Sequence, residues 1–142
     1  MVAYNMACNA VDVPQIAAFS ISTSARYATS SIKSDTDGNF AGNVKELQPS
    51  SAALSISGNY NRSGTQRLNI SDPKDISSDF SIELTTLEID KAYGDIESGN
   101  GKFSFTGLIE GRNFSSAGSI TFEGDNMAII VVNGTSYEIE WD

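Results

Sequence analysis

The alternation of apolar and polar residues with a period of two is the feature that most constrains the fold of this chain. Such alternation, bounded by Gly, Asn and Asp, is typical of strands with one covered face and one solvated face. Helical periodicity is missing throughout, so we expect almost no helix. The residues predicted to face inward are Ala17, Phe19, Ile21, Ala25, Tyr27, Leu54, Ile56, Tyr60, Leu68, Ile70, Phe80, Ile82, Leu84, Leu87, Ile89, Phe103, Phe105, Ile109, Phe114, Ile120, Phe122, Tyr137, Ile139 and Trp141.

The pattern predicts an all-β fold, an antiparallel meander of about eight to ten strands. Strands that are neighbours in sequence are expected to be neighbours in space, and such a meander forms either a barrel or a sandwich. A chain of 142 residues has the length of one domain. We therefore assign residues 1–142 to a single all-β domain, with residues 1–15 as an extended N-terminal segment.

One strand changes the parity of its apolar positions. These positions are even-numbered up to Leu84 and odd-numbered from Leu87 onward. Because side chains alternate strictly across a strand, the change predicts a one-residue slip near Thr85 and Thr86, either a bulge or a corner.

Three pairs of turn-forming residues predict hairpins: Asp37-Gly38, Asn100-Gly101 and Asn133-Gly134. The last pair joins an apolar run, Met127 to Val132, to the alternating segment 135–141. This hairpin is expected to place a fully covered strand beside a half-exposed one. The loop-like stretches are Met1 to Gln15, Gln48 to Ala52 and Ser71 to Ser78.

The net charge of −9 lies almost entirely in the second half of the chain. Residues 1–71 sum to +1 and residues 72–142 to −10. No basic cluster is present to neutralise a phosphate backbone, so we expect no nucleic acid partner.

No apolar run approaches the roughly 20 residues of a membrane-spanning helix. A membrane barrel is also disfavoured, because Glu83, Glu110, Glu138 and Glu140 occupy expected outward positions. We therefore predict that the chain does not span a membrane. An extracellular, cell-surface or virion location is favoured over a cytoplasmic one.

Most standard catalytic groups are missing. The chain has no histidine and a single cysteine, Cys8, which removes His-dependent triads, imidazole metal sites and disulfide frameworks. The Ser30-x-x-Lys33 spacing matches acyl-transfer enzymes, but that chemistry needs both residues on one helical turn, and here they lie in a strand-like stretch.

Acidic clusters are better explained as solvated turns and faces than as sites. The segment 35–39 resembles part of a calcium loop, yet Lys33 and Val44 would occupy ligand positions that they cannot fill. We interpret the following residues in the same way: Asp72, Asp75, Asp79, Glu88, Asp90, Glu138 and Glu140. We therefore predict no enzyme activity, no cofactor, and no catalytic, cofactor-binding or metal-binding residues.

Large aromatic residues leave two alternatives open. They could line a ligand pocket in the mouth of a barrel, or they could fill the core of the domain. The residues concerned are Phe103, Phe105, Phe114, Phe122, Tyr137 and Trp141.

Residues 79–123 carry a family resemblance. The runs DFSIEL at 79–84, GDI at 94–96 and GKFSFTGLIEGRNFS at 101–115 resemble the barrel of transferrin-binding-protein-B-like surface lipoproteins. The resemblance implies a surface-exposed barrel that binds a host protein or passes on the ligand of a metal carrier.

Two classes of function follow from these observations. The favoured one is a non-enzymatic structural or adhesive subunit of an appendage, tube or virion, whose partner is itself or another protein. It follows from the absent catalytic groups and from edge strands without Lys or Pro. The alternative is a surface-exposed binding module or small-ligand carrier of the kind that the resemblance implies.

Overall fold

A computed structural model describes residues 1–69 and 71–141, so Ile70, one of the predicted inward residues, lies outside the described residues. The described residues form an all-β structure without helices, which confirms the predicted fold class. Its strands are β1 (Val2–Cys8), β2 (Pro14–Ala28), β3 (Ile32–Lys45), β4 (Ala53–Leu68), β5 (Lys74–Asp90), β6 (Ile96–Ile109), β7 (Arg112–Gly124), β8 (Met127–Val132) and β9 (Thr135–Glu140).

The strands form one sheet in the order in which they follow along the chain, and every neighbouring pair is antiparallel. The predicted meander is therefore confirmed. Within the described residues β1 and β9 are the two edges and do not pair with each other, so the sheet is open. It is a single layer among the described residues, because Ala128 is their only buried hydrophobic side chain and most other strand positions are half-buried or exposed.

The strand register divides the side chains between two faces. Phe40 on β3 lies opposite Tyr60 on β4, Tyr60 lies opposite Ile82 on β5, and Ile82 lies opposite Phe103 on β6. Residues at the intervening positions, such as Asn61, point to the other side. We call the two sides the apolar face and the polar face.

A bulge in β5 keeps its apolar side chains on one face. Leu84 pairs with Gly101 and Thr86 pairs with Asn100, so Thr85 is an extra residue without an opposite partner on β6. The same irregularity separates the pairs of Leu84 and Leu87 with β4. The slip predicted near Thr85 and Thr86 is therefore confirmed as a β-bulge.

Only one of the three predicted turns is a turn. Asn133 and Gly134 have φ of 50° and 82° and join β8 to β9, as a tight hairpin with two positive-φ residues requires. Asp37-Gly38 lies inside β3 and Asn100-Gly101 inside β6, so those two predictions are wrong. Each of those two glycines faces the apolar side. There its lack of a side chain leaves space for a large side chain of a neighbouring strand.

Other residue pairs form the hairpin turns that the sequence analysis missed. Glu110 and Gly111 have φ of 51° and 77° between β6 and β7. Asp125 and Asn126 have φ of 50° and 59° between β7 and β8. Both are two-residue connections in the left-handed region.

Two stretches predicted to be loop-like contain strands. Val2–Cys8 is β1, and β5 already begins at Lys74, inside the stretch 71–78. Polar residues conceal the start of β5 in the sequence, whereas β1 is mostly apolar. Backbone pairing with β4 and with β2, respectively, makes both segments strands. The stretch 48–52 is a loop, as predicted.

Candidate protein-binding surface

Three rows of side chains cross all nine described strands on the apolar face. Each row consists of residues that lie opposite one another on successive strands. We call these three rows the apolar belt. The first is Val2, Ile21, Phe40, Tyr60, Ile82, Phe103, Gly118, Val132 and Thr135; the second is Tyr4, Phe19, Gly42, Gly58, Leu84, Gly101, Ile120, Ile130 and Tyr137; the third is Met6, Ala17, Val44, Ile56, Leu87, Gly99, Phe122, Ala128 and Ile139.

The belt has no second layer over it. Among the described residues Ala128 is the only buried hydrophobic residue, at 2% exposure. The central belt side chains are half-buried by their neighbours in the sheet. Exposure is greatest on the edge strands, where Tyr4 is 79% and Tyr137 56% exposed. An ordinary domain of this size would cover such a surface with other elements.

Aromatic rings fill the belt by lying across glycines of the adjacent strands. A Cβ atom added at Gly118 would lie 2.6 Å from the ring of Phe103, and one added at Gly58 would lie 3.1 Å from the ring of Phe40. Phe40 also stacks on Phe19 with a centroid distance of 5.2 Å. The rings therefore cover the glycine backbone instead of projecting away from the sheet.

The predicted inward aromatic residues all belong to this surface or its continuation. Phe105 and Phe114 contact each other at a centroid distance of 5.3 Å, and the Phe122 ring meets Trp141 edge-on at 6.2 Å. They do not fill an enclosed core, because the sheet is open and Ala128 is the only buried hydrophobic residue among those described. The covered strand predicted at 127–132 is corrected for the same reason: most of β8 is only half-buried.

Charged residues are distributed unequally between the two faces. The three rows of the belt contain no charged residue. The strand carboxylates at regularly paired positions alternate onto the polar face: Asp35, Asp37, Asp75, Asp79, Glu83, Glu88, Asp90, Glu138 and Glu140. The polar face therefore carries most of the negative charge of the sheet.

Ion pairs link exposed or half-buried side chains outside the belt. The Arg26 Nε lies 3.0 Å from the Asp35 carboxylate, and this hydrogen bond raises the pKa of Arg26. Lys74 donates to Glu110 at 2.6 Å, which raises the pKa of the Lys74 ammonium. These contacts join neighbouring strands or a strand and a turn, and exposed pairs of this kind contribute little to stability.

The polar face carries shallow, open grooves between short side chains. One groove of about 320 Å³ is lined by Asp37, Asn61, Asp79 and Ser104, among others. On the same face the hydroxyls of Ser81 and Ser104 are 2.8 Å apart. Within the described residues no group of three or more His, Cys, Asp or Glu side chains could hold a metal ion.

The residues that resemble catalytic or metal motifs are dispersed. Asp35 and Asp37 belong to β3 and not to a loop. Asp75 lies 3.5 Å from Arg67. Ser30 lies in the bend before β3, whereas Lys33 lies on the polar face of that strand.

The carboxylates of Glu138 and Glu140 stand exposed on β9. Sequence reasoning found 13 of the 27 belt residues. Those it missed include Phe40 and Val44 on β3 and Val2, Tyr4 and Met6 on β1. Their alternation in β1 was the available signal.

No protein-family model matches the chain, and no curated protein and no solved structure is significantly similar to it. No helix capable of crossing a membrane occurs in the part of the chain that the structure describes.

Proposed function

We propose that this protein is a non-enzymatic structural or adhesive subunit that acts through self-assembly or protein-protein contacts. The observation that carries the proposal is the apolar belt, which crosses the whole sheet and has no covering layer. Burial of apolar surface is the main driving force of both folding and association. A sheet that leaves such a surface uncovered therefore gains free energy when another molecule covers it.

The accessible area of the chain supports this interpretation. The folded chain exposes 9342 Å², whereas a compact monomer of 15.1 kDa is expected to expose about 7,100 Å². The excess is about 2,200 Å², which is comparable to the area that one partner buries in an obligate homodimer, about 1,000–2,500 Å².

The edge strand β1 offers a second means of association. All seven of its residues are exposed, and it contains neither a charge nor a proline. Edge strands with unpaired backbone groups add further strands unless such residues protect them. The other edge, β9, carries Glu138 and Glu140, so β1 is the edge that we expect to join copies.

The proposal is tested by the absolute mass in solution, measured by light scattering after size exclusion over a concentration series. We expect multiples of 15.1 kDa that grow with concentration. Asn5→Lys places a charge on β1 and should remove the largest species. Asn59→Lys adds the same charge at the centre of the polar face and serves as the matched control. A strict monomer at high concentration would overturn the proposal.

A second candidate function is a surface-exposed binding module of the transferrin-binding-protein-B-like kind. The segments that carry the resemblance form β5, β6 and β7, and their Phe80, Phe103, Phe105 and Phe114 all lie on the apolar face. In this alternative the same surface binds a different protein. A stable monomer that captures a host protein from solution would favour it over self-assembly.

A further inference from the structure

We propose that the occupant of the apolar belt is a second copy of this chain, whose own belt packs against it face to face in a two-layer β-sandwich. The inference rests on the proposed function, because it names the partner and the surface through which self-assembly begins. Three properties of the belt support it: its lack of charge, its surface shape and its size.

The charge distribution favours contact between two apolar faces. Each copy has a net charge of −9, so two copies repel each other in most orientations. Contact between polar faces would bring carboxylates such as Asp79 and Glu83 of both copies together. The belts contain no charged residue, and face-to-face packing places the two polar faces on opposite outer surfaces.

The surface shape of the belt is better suited to packing against another sheet than to binding a small ligand. Rings of Phe40 and Phe103 lie across glycines and fill the space above them. The grooves described above open on the polar face. Two sheets with filled apolar faces pack about 10 Å apart with interdigitating side chains, as in β-sandwiches.

The size of the belt agrees with a stable interface. Nine strands about 4.8 Å apart span roughly 38 Å, and three rows about 6.8 Å apart cover roughly 20 Å. The projected area is therefore roughly 800 Å², which matches the area that each partner contributes to a standard protein interface.

On one side the belt is bordered by a row of mixed polarity, whereas on the other side Leu54, Ile89 and Ile96 continue the apolar face. The row of mixed polarity includes Thr23, Arg62 and Ser116, together with two phenylalanines. Arg62 and Thr23 are exposed, so their polar groups can remain in water when two belts meet. An apolar centre with a polar rim is the usual anatomy of a protein interface.

Two neighbouring isoleucines of β8 provide a matched test. Ile130 lies in the belt, opposite Ile120 and Tyr137, whereas Ile129 lies on the polar face, opposite Thr121 and Glu138. Both are half-buried. Ile130→Lys should weaken the dimer at least about 100-fold, because it buries an uncompensated charge. Ile129→Lys should leave the dimer unchanged. Circular dichroism must show that both variants keep their strands.

Small-angle X-ray scattering of the wild-type protein tests the geometry without any substitution. We expect a two-layer particle at the dimer mass. A dimer whose scattering fits one extended layer, joined at an edge, overturns the face-to-face inference and leaves the proposed self-assembly intact. A monomer at all concentrations overturns both. Equal weakening by Ile129→Lys and Ile130→Lys, with both variants folded, also contradicts this interface.

Discussion

At the scale of single residues, the apolar face depends on pairs of a glycine and an aromatic ring. Gly118 lies opposite Phe103 and Val132 in the register. A Cβ atom at Gly118 would overlap the Val131 carbonyl oxygen and would lie 2.6 Å from the Phe103 ring. The glycine is therefore required for close approach, and its backbone has no unusual φ.

Gly118→Ala should lower the free energy of unfolding by about 1–3 kcal/mol, because the ring and the neighbouring strand must shift to make room. Urea denaturation followed by tryptophan fluorescence measures the change. Ser116→Ala, on the same strand and the same face, is the control and should stay within about 0.5 kcal/mol of wild type. A Gly118→Ala protein as stable as wild type would show that the Phe103 ring does not lie over this glycine.

At the scale of elements, the bulge in β5 decides which face its second half presents. Thr85 is exposed, and Leu87 and Ile89 on its far side are half-buried on the apolar face. Without the extra residue the alternation would turn both side chains to the polar face. The bulge therefore allows one long strand to contribute to the apolar face at both of its ends.

Deletion of Thr85 should destabilise the sheet by about 3 kcal/mol or more, because two large apolar side chains lose their half-buried positions on the apolar face. Deletion of Ser50 in the loop before β4 is the control, since exposed loops tolerate changes in length. Thermal unfolding of both variants measures the difference. Equal midpoints would mean that β5 can slip along its neighbours without cost.

At the scale of the whole molecule, the apolar belt and the net charge have opposite effects on association between copies. The belt favours contact between copies, while the net charge of −9 opposes it. Salt screens charge repulsion between exposed groups but affects apolar contact much less. The balance between the two should therefore depend on ionic strength and on pH.

Raising the salt concentration from about 0.01 M to about 0.15 M shortens the range of charge repulsion from about 30 Å to about 8 Å. Association should therefore strengthen. It should also strengthen as the pH falls toward the isoelectric point of about 4.3, where the net charge vanishes. Light scattering at fixed protein concentration records both effects. Dissociation by salt would instead show that ion pairs hold the copies together.

Much of the local structure could be predicted because the alternation of side chains is a property of each strand by itself. The parity change between Leu84 and Leu87 located the bulge, and Asn133-Gly134 located a hairpin. The same reasoning failed at Asp37-Gly38 and Asn100-Gly101. A glycine that frees the backbone for a turn and a glycine that makes room for a ring on the next strand look alike in sequence.

The sequence by itself determined the all-β class, the meander order and the separation of apolar from carboxylate side chains, because all of these depend on residues that are near one another in the chain. Only the tertiary structure decided that the sheet stays open and that β1 extends it. It also showed that no second layer formed by the described residues covers the belt. Those properties depend on register and on contacts between distant strands, and the period-two pattern of a single strand is the same in a barrel, a sandwich or an open sheet.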